Sequence, residues 1–281
     1  MRIVVTGANG QLGQAVMRQF HGLHDLSALG HADIELSEAR TADTIAALRP
    51  QAIIHAGAMT NVDGCARDPD AAYAANALGS RWVAQAAVRA NARMIYISTN
   101  EVFDGTATTP YGEFDCPNPI NAYARSKYAG EQAARELLDR LYVVRVAWLF
   151  GGTRNFLRTV LRLSSEQSSL RMVDDEIGSP THAGDVAAAL GQLLTTDAYG
   201  TFHFVNQGSC SRYELAAATL AAAGRSSVTL EPMKLAEFVR PSRVPLYTAL
   251  NNYVGAAQGI VFRPWQDAVN TFVHSIIEGQ A

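Results

Sequence analysis

The chain has 281 residues and a mass of 30.2 kDa, with 48% hydrophobic residues, 17% charged residues and a formal net charge of -3. This length suffices for one large domain or two closely joined domains that bury most of their apolar surface. The near-neutral charge offers no basic field to nucleic acid or to anionic lipid, so we expect neither as a partner.

The cysteines and the N-terminus point to an ordinary cytoplasmic enzyme. Cys65, Cys116 and Cys210 are odd in number and follow no CxxC spacing, so neither a disulfide framework nor a zinc site is predicted. The chain begins "MRIVVTGANG", without the charged and apolar regions of a signal peptide, and no apolar run reaches transmembrane length. We therefore expect a cytoplasmic location.

Short apolar runs alternate with helical stretches along the first half of the chain. The predicted strands are "RIVVT", "HDLSALG", "QAIIHAG", "ARMIYIST" and "LYVVRVAWLF". Because helical stretches separate these runs, they predict an α/β fold with a doubly wound parallel sheet. We assign residues 1–150 to this domain, expect the chain to rejoin it at about 180–196, and assign residues 151–281 to a smaller lobe across the open strand ends.

A glycine-rich turn joins the first strand to the first helix. Its spacing GxxGxxG would let the backbone approach a pyrophosphate at a helix N-terminus, which carries free N–H groups and the positive end of the helix dipole. This predicts an NAD(P)-binding Rossmann domain, and the alternative is a turn that only packs helix on strand. The predicted contacts are Gly7, Asn9, Gly10, Gln11, Leu12 and Gly13.

The ends of the second and third strands should contact the two halves of the cofactor. After the second strand, an acid would favour NAD and a basic residue NADP, but Gly30 and His31 decide neither. Asp33 and Ile34 are assigned to the adenine, with a solvated turn and an apolar anchor as the alternative. The third strand is followed by small residues that we expect to lie beside the nicotinamide, with a compact strand end as the alternative. These residues are Ala56, Gly57, Ala58 and Thr60.

Tyr123 and Lys127 in "NAYARSKYAGE" lie one helical turn apart and share one face of a predicted helix. A phenol with a pKa near 10 is a poor acid or base at neutrality, and an adjacent ammonium lowers that pKa by favouring the phenolate. Lys127 and Lys234 are the only lysines of the chain, so it is improbable that one of them, Lys127, falls four residues after a tyrosine by chance. The pair therefore predicts carbonyl chemistry rather than an accidental pair on a wet helix face.

Together, "TGANGQLG", "STNEVFDG" and "YARSK" resemble the extended branch of the short-chain dehydrogenase/reductase superfamily. The segments "AMTNVDGC", "PNPINAYARSKYAGE", "RVAWLFGG", "DDEIGSPTHAGDVA" and "FRPWQDAV" are similar to motifs of its dTDP-4-dehydrorhamnose reductase family. This resemblance implies reduction of the 4-keto group of a dTDP-4-keto-6-deoxyhexose by NADPH or NADH, giving dTDP-L-rhamnose. Because the hydride comes from the cofactor, no metal is required.

The same resemblance implies roles for individual residues. Tyr123 would protonate the carbonyl oxygen, Lys127 would lower the pKa of Tyr123 and hold the nicotinamide ribose, and Thr99 would hydrogen-bond the same oxygen. Trp148, Thr181 and Arg240 or Arg243 would contact the substrate. The alternative for Trp148 is a core aromatic, and the alternative for the arginines is a solvated surface role. Asn76 would reach Lys127 through a water.

The stretch "STNEVFDG" departs from the reductase pattern, because Asn100 and Glu101 follow Thr99 where the family usually has Asp and Tyr. Thr-Asp-Glu is typical of the related 4,6-dehydratases, where Asp is the acid and Glu the base. An amide supplies no proton near neutrality, so Asn100 cannot be that acid. We interpret Asn100 and Glu101 as substrate contacts. The alternative for Glu101 is a replacement that leaves the packing unchanged. The identity of the 4-keto sugar therefore stays open.

Two further functions stay open. The family also resembles the non-catalytic regulatory subunit of methionine adenosyltransferase, and Glu101 keeps a dehydratase or epimerase with bound NAD⁺ in view. Ala66 stands where some members place an acidic residue in a metal-assisted dimer contact, so that mode is not expected. A homodimer formed in another way stays open. The sequence does not choose NADH or NADPH, or the stereochemistry at C4.

Overall fold

Parallel strands form the central sheet of the protein, whose computed structural model describes residues 1–279. Their spatial order is β10 (Gly200–His203), β5 (Leu141–Val146), β4 (Arg93–Thr99), β3 (Ala52–His55), β1 (Arg2–Thr6) and β2 (Asp25–Leu29). Every neighbouring pair is parallel. With helices on both faces, this sheet confirms the predicted doubly wound α/β fold.

Helices bury both faces of the sheet. One face packs against α1 (Gln11–Phe20) and α8 (Ala183–Leu193). The other packs against α2 (Arg40–Ala47), α5 (Gly79–Ala90) and α6 (Ala122–Arg135). Successive residues of β1 point to opposite faces of the sheet. Val5 packs on the side of α1 and α8, and Val4 packs on the side of α2, α5 and α6. This alternation explains why the strands read as continuous apolar runs.

Two short helices, α3 (Val62–Arg67) and α4 (Pro69–Tyr73), lead from β3 towards α5. A π-helical turn over Ala74–Leu78 joins α4 to α5, so that the predicted helix "PDAAYAANALGSRWVAQAAVRA" runs on through a local change of winding. Such turns often occur at functional sites.

The remaining elements build a second core around Phe150, Leu157 and Trp265. Three pairs of strands belong to this region: β6 (Leu149–Phe150) with β9 (Thr181–His182), β8 (Ile177–Gly178) with β11 (Cys210–Ser211), and β7 (Ser169–Val173) with β12 (Thr229–Met233). The helices are α7 (Phe156–Glu166), α9 (Arg212–Ala222), α10 (Tyr253–Ala257) and α11 (Trp265–Ile277), and 3₁₀ turns cover Asn100–Val102 and Leu235–Glu237.

The path of the chain adds two features to the prediction. Helix α8 occupies most of the segment 180–196, and the chain enters the sheet just after it, in β10 beside β5. Helix α2 was not predicted, because its eight residues have no side-chain cap at their start and only three buried positions. The division into two domains near residue 150 stays a prediction. Within residues 1–279, no helix combines the length and apolarity needed to cross a bilayer.

Helix α6 approaches its neighbours closely at Gly130. A Cβ atom at Gly130 would lie 2.4 Å from the carbonyl oxygen of Asn76 and 2.5 Å from the hydroxyl oxygen of Tyr96. That hydroxyl donates a hydrogen bond of 2.9 Å to the carbonyl oxygen of Lys127. Strand β4 and the π-helical turn thus fix the position of α6, and only glycine fits between them.

We expect Gly130→Ala to lower the free energy of unfolding by about 1–3 kcal/mol, because the added methyl group overpacks a rigid backbone contact. Gly191→Ala in α8 is the matched control, since its new Cβ would meet only the Phe20 ring, at 3.3 Å. Urea denaturation of both variants would measure the difference, and equal stabilities would contradict the packing described above.

Candidate active site

The glycine turn lies where the strand order reverses, between β1 and β3. Gly7 has a φ of +65°, and a Cβ atom there would lie 2.6 Å from the amide nitrogen of Gly57. A Cβ atom at Gly13 would lie 2.2 Å from the carbonyl oxygen of Gly7. Helix α1 begins here without a capping side chain. The turn therefore offers bare backbone and uncapped N–H groups at the switch point, which suits the pyrophosphate of a dinucleotide.

The other predicted residues of this turn differ in their side-chain surroundings. Asn9 is exposed, and its carbonyl oxygen accepts a hydrogen bond of 2.9 Å from Gln14. Leu12 is buried in the core, so only its backbone can face a ligand. Gln11 reaches the second core, because its side chain donates to the Leu149 carbonyl at 3.4 Å and accepts from the Gly152 N–H at 3.3 Å.

The residues predicted to meet the adenine lie just after β2. The Asp33 carboxylate is exposed and accepts a hydrogen bond of 2.8 Å from the N–H of Gly30. Ile34 is only 8% exposed and packs in the core with Leu29 and Leu36. Of the two, Asp33 alone presents its side chain to an incoming ligand.

The segment after β3 is held by Asn76. Its side-chain oxygen accepts from the N–H of Met59 at 2.8 Å, and its side-chain nitrogen donates to the Met59 carbonyl at 3.0 Å and to the Ser126 hydroxyl at 2.9 Å. Asn76 therefore fixes the predicted nicotinamide contacts against α6. The expected water link to Lys127 is not needed to satisfy its amide. The contacts it supports are Ala56, Gly57, Ala58 and Thr60.

Thr99, Tyr123 and Lys127 come together at the end of β4. Thr99 is buried near the Tyr123 phenol, and its hydroxyl donates a hydrogen bond of 3.3 Å to the Asn100 side-chain oxygen and accepts one of 3.2 Å from the Glu101 N–H. Lys127 is 3% exposed, and its Nζ donates a hydrogen bond of 2.8 Å to the carbonyl oxygen of Ile97. It lies 4.4 Å from the centre of the Tyr96 ring. The lysine thus points towards β4, one helical turn from the phenol.

Burial sets the protonation of this group. Burial raises the pKa of Tyr123, and the negative charge of Glu101 raises it further. The nearby Thr99 hydroxyl acts in the opposite direction and lowers this pKa. Burial also lowers the pKa of Lys127 to about 7, against the opposing charge of Glu131. The structure therefore holds Tyr123 as a neutral phenol. This is the reverse of the shift expected from the neighbouring lysine, because burial and the negative charge of Glu101 both raise the pKa of the phenol.

Two residues predicted to contact the substrate are enclosed. Asn100 is 4% exposed, and its side chain donates a hydrogen bond of 2.6 Å to the hydroxyl of Thr248. Thr181 is fully buried, and its hydroxyl donates to the Ser179 carbonyl at 3.0 Å. These polar side-chain atoms bond within the protein, and the assignment of both residues as substrate contacts stays a prediction. Asn100 ties the end of β4 to the chain segment that follows Leu246.

Glu101 lies in the 3₁₀ turn after β4 and faces the start of α6. Asn121, the N-cap of that helix, donates to the Glu101 carboxylate at 2.8 Å and accepts from the Ala124 N–H at 2.8 Å. Burial raises the pKa of Glu101, with a further contribution from Glu176, whereas the Asn121 hydrogen bond and the charges of Arg240 and Arg212 lower it.

The two candidate arginines differ in position. The Nε of Arg240 donates a hydrogen bond of 3.0 Å to the Asp63 carboxylate, and its positive charge acts on Glu101. Arg243 is exposed, and its backbone carbonyl accepts from Asn121 at 3.1 Å. The structure brings Arg240 to the centre and leaves the Arg243 side chain in solvent.

Trp148 lies between β5 and β6 in a strained backbone conformation, with a φ of +40°. A Cβ atom at Gly178 would lie 2.4 Å from its ring, and the Arg212 guanidinium stacks 3.5 Å from the ring centroid. Arg212 also pairs with Glu176 at 3.0 Å. An indole under a guanidinium gives a flat, partly charged surface suited to a polar ring.

Sequence reasoning missed several members of this site. Asn121 had a readable signal, since an Asn directly before a predicted helix is a preferred N-cap. Arg212 and Glu176 gave none, because they lie 36 residues apart and meet only in the folded chain. Asp63 lay in a quoted motif but had no assigned partner, and its partner Arg240 is 177 residues away.

Comparison with known proteins gives a consistent result over nearly the whole chain. A family model described as the RmlD substrate binding domain matches residues 1–277. The chain is 36% identical over 279 residues to the dTDP-4-dehydrorhamnose reductase of Mycobacterium tuberculosis, covering 96% of this chain and 91% of that protein.

Two solved structures of dTDP-4-dehydrorhamnose reductases are also similar. The one from Clostridium acetobutylicum has a TM-score of 0.95 and 34% identity, covering 98% of this chain and 99% of that one. The one from Bacillus anthracis, solved in complex with NADP, has a TM-score of 0.94 and 35% identity, with the same coverage.

We expect Glu101→Gln to lower the pKa of Tyr123 towards its ordinary value, because the amide removes a negative charge that opposes the phenolate and can still accept from Asn121. A pH titration of phenolate absorbance would measure the shift, and the same titration in Tyr123→Phe protein would identify the phenol. Glu166→Gln, on the exposed face of α7, should leave the titration unchanged. An unaltered Tyr123 titration in the Glu101 variant would contradict this account of the site.

Proposed function

The chain belongs to the dTDP-4-dehydrorhamnose reductase family, and we propose that its site reduces the 4-keto group of a dTDP-4-keto-6-deoxyhexose to the alcohol, giving dTDP-L-rhamnose. One observation carries this proposal beyond the family likeness: a neutral Tyr123 phenol beside the Thr99 hydroxyl, one helical turn from Lys127. Reduction of a carbonyl needs a proton donor at this place, and the phenol is in the donor form.

The residues of the pocket divide the work on the carbonyl oxygen. Tyr123 donates its proton to that oxygen, and the Thr99 hydroxyl orients it by a hydrogen bond. The phenolate left on Tyr123 is stabilised by the positive charge of Lys127 and regains a proton from solvent. The bound NADPH or NADH supplies the hydride that forms the new bond at the carbonyl carbon.

The glycine turn supports the binding of a dinucleotide. The bare backbone at Gly7 and Gly13 and the uncapped start of α1 would hold the pyrophosphate, and Asp33 would lie near the adenine. Gly57 and its neighbours after β3 would border the nicotinamide, where larger side chains would clash. Both coenzymes stay in view, because Gly30 and His31 provide neither a fixed acid nor a fixed base for the ribose.

The substrate would lie between the end of β4 and the second core. Trp148 and Arg212 offer a flat surface to the sugar or base, and Glu101 can accept hydrogen bonds from sugar hydroxyls. Arg240 is suited to the diphosphate by its charge and its planar donor fork. Glu101 in place of the usual tyrosine affects which sugar hydroxyls are recognised. A homodimer and a cytoplasmic location stay predictions from the sequence.

The dehydratase alternative is less well supported by the same geometry. Such an enzyme first oxidises its sugar, which requires Tyr123 to act as a base, whereas burial raises the pKa of this phenol. It also needs an acid at position 100, and the Asn100 amide is engaged by Thr248. Glu101 alone would keep only the base of that reaction.

We expect rapid oxidation of NADPH or NADH when the protein is mixed with the dTDP-4-keto-6-deoxyhexose produced in place by a dehydratase and a 3,5-epimerase. Absorbance of the reduced cofactor gives the rate, and chromatography of the product identifies dTDP-L-rhamnose. Comparison of the two coenzymes gives the preference. If neither coenzyme is consumed and the sugar is unchanged, the proposed reaction is wrong, and binding of a partner synthetase becomes the next assay.

Tyr123→Phe should reduce turnover by about 10²–10⁴-fold, because it removes the proton donor while keeping the aromatic ring. Cofactor affinity, measured by fluorescence titration, should stay nearly unchanged. Tyr128→Phe, on the same helix, is the matched control and should keep its activity. Retained turnover in the Tyr123 variant would overturn the role of the phenol.

A further inference from the structure

A buried ion pair lies behind the candidate active site, between α6 and the sheet. Glu131 of α6 is fully buried, and Arg145 of β5 is 3% exposed. The guanidinium donates two hydrogen bonds to the carboxylate, from Nε to Oε1 at 3.0 Å and from Nη2 to Oε2 at 2.9 Å. The hydroxyl of Ser98 donates a third, at 2.5 Å. The carboxylate is thus fixed to two strands at once.

This carboxylate stands one helical turn beyond Lys127. Side chains four residues apart on a helix lie on the same face, so the charge of Glu131 acts on the lysine ammonium. That charge raises the pKa of Lys127, against the larger lowering caused by burial. The ammonium itself is anchored on the Ile97 carbonyl, and its charge needs a counter-ion in this apolar pocket.

The ion pair is a poor device for stability alone. Apolar residues of similar size often replace a buried pair without loss, because desolvation offsets the attraction between the charges. The pair is also incompletely satisfied, since the Nη1 atom of Arg145 is buried and has no partner among residues 1–279. Another need for the Glu131 charge would explain why it is kept.

We propose that Glu131 is a positioning residue for Lys127: its carboxylate, fixed by Arg145 and Ser98, keeps charged the Lys127 ammonium that the Ile97 carbonyl anchors. This inference rests on the proposed function, because the role of Lys127 belongs to that function. Glu131 contacts neither the cofactor nor the substrate in this arrangement and acts only through the lysine.

Several other titratable groups face Lys127. From β3, His55 has its pKa lowered to about 3 by burial and by the lysine charge. From β4, burial raises the pKa of Tyr96 well above its ordinary value, and on α6 burial also raises that of Tyr123. Burial also raises the pKa of Glu101, in the 3₁₀ turn after β4, and the Arg145 guanidinium, from β5, pairs with Glu131. Burial lowers the pKa of Lys127 itself to about 7.

The test compares Glu131→Gln with Ser98→Ala. The first removes the charge near Lys127, and the second removes a hydrogen bond to the same carboxylate but no charge. Fluorescence titration with NADPH across a pH series measures cofactor affinity without requiring turnover. We expect affinity to weaken as pH rises, with the midpoint about one pH unit lower in Glu131→Gln, because Lys127 there loses its proton earlier.

Equal midpoints in the two variants, or an affinity independent of pH in both, would overturn the proposal. Circular dichroism checks that each variant is folded. If Glu131→Gln does not fold, the double variant Glu131→Met and Arg145→Met replaces it, because it removes both charges of the ion pair together. A midpoint of the double variant below that of Ser98→Ala supports the proposal, and a midpoint equal to it overturns the proposal.

The separate assay of sugar reduction distinguishes the two conclusions. If the wild-type protein does not reduce the 4-keto sugar, the proposed function fails, yet the binding midpoints still report on Glu131 and Lys127. If the sugar is reduced and the midpoints are equal, the proposed function stands and the role of Glu131 is wrong.

Discussion

The close contact of helix α6 with strand β4 is the constraint on which the candidate active site depends. Backbone and hydroxyl atoms come so near to Gly130 that no side chain fits, and the Tyr96 hydroxyl is bonded to the helix at 2.9 Å. This contact fixes the height and rotation of the helix. Tyr123 therefore meets Thr99, and Lys127 reaches the Ile97 carbonyl. The reacting side chains are placed by the backbone packing beneath them rather than by bonds among themselves.

Removal of water decides what these side chains can do. Burial opposes the charged form of every group, so it disfavours the phenolate, the carboxylate of Glu101 and the ammonium of Lys127 together. A pocket with this bias holds a proton ready to be given away. It also requires a nearby negative charge if the ammonium is to persist, and Glu131 supplies one from a position that a ligand cannot reach.

The sequence predicted the features that depend on local pattern. The glycine spacing, the buried strands and the Tyr123–Lys127 spacing are each contained in fewer than a dozen consecutive residues, and the parallel sheet and the family followed from them. Contacts between distant segments were not predictable, as when Asn100 bonds Thr248, 148 residues away. The direction of the Tyr123 pKa shift was also beyond the sequence, because it depends on how much water the fold excludes.

The side chain of Gln11 joins the two ligand regions of the molecule. Gln11 begins helix α1 next to the glycine turn, and its side chain bonds the backbone of Leu149, in the strand that follows Trp148, and of Gly152, just after that strand. A dinucleotide that orders the start of α1 thereby orders the wall against which a sugar would rest. The first ligand then bears the loss of conformational entropy that ordering this segment requires, and the second ligand binds a segment that is already ordered. We therefore expect the cofactor and the sugar to bind cooperatively, with the cofactor binding first.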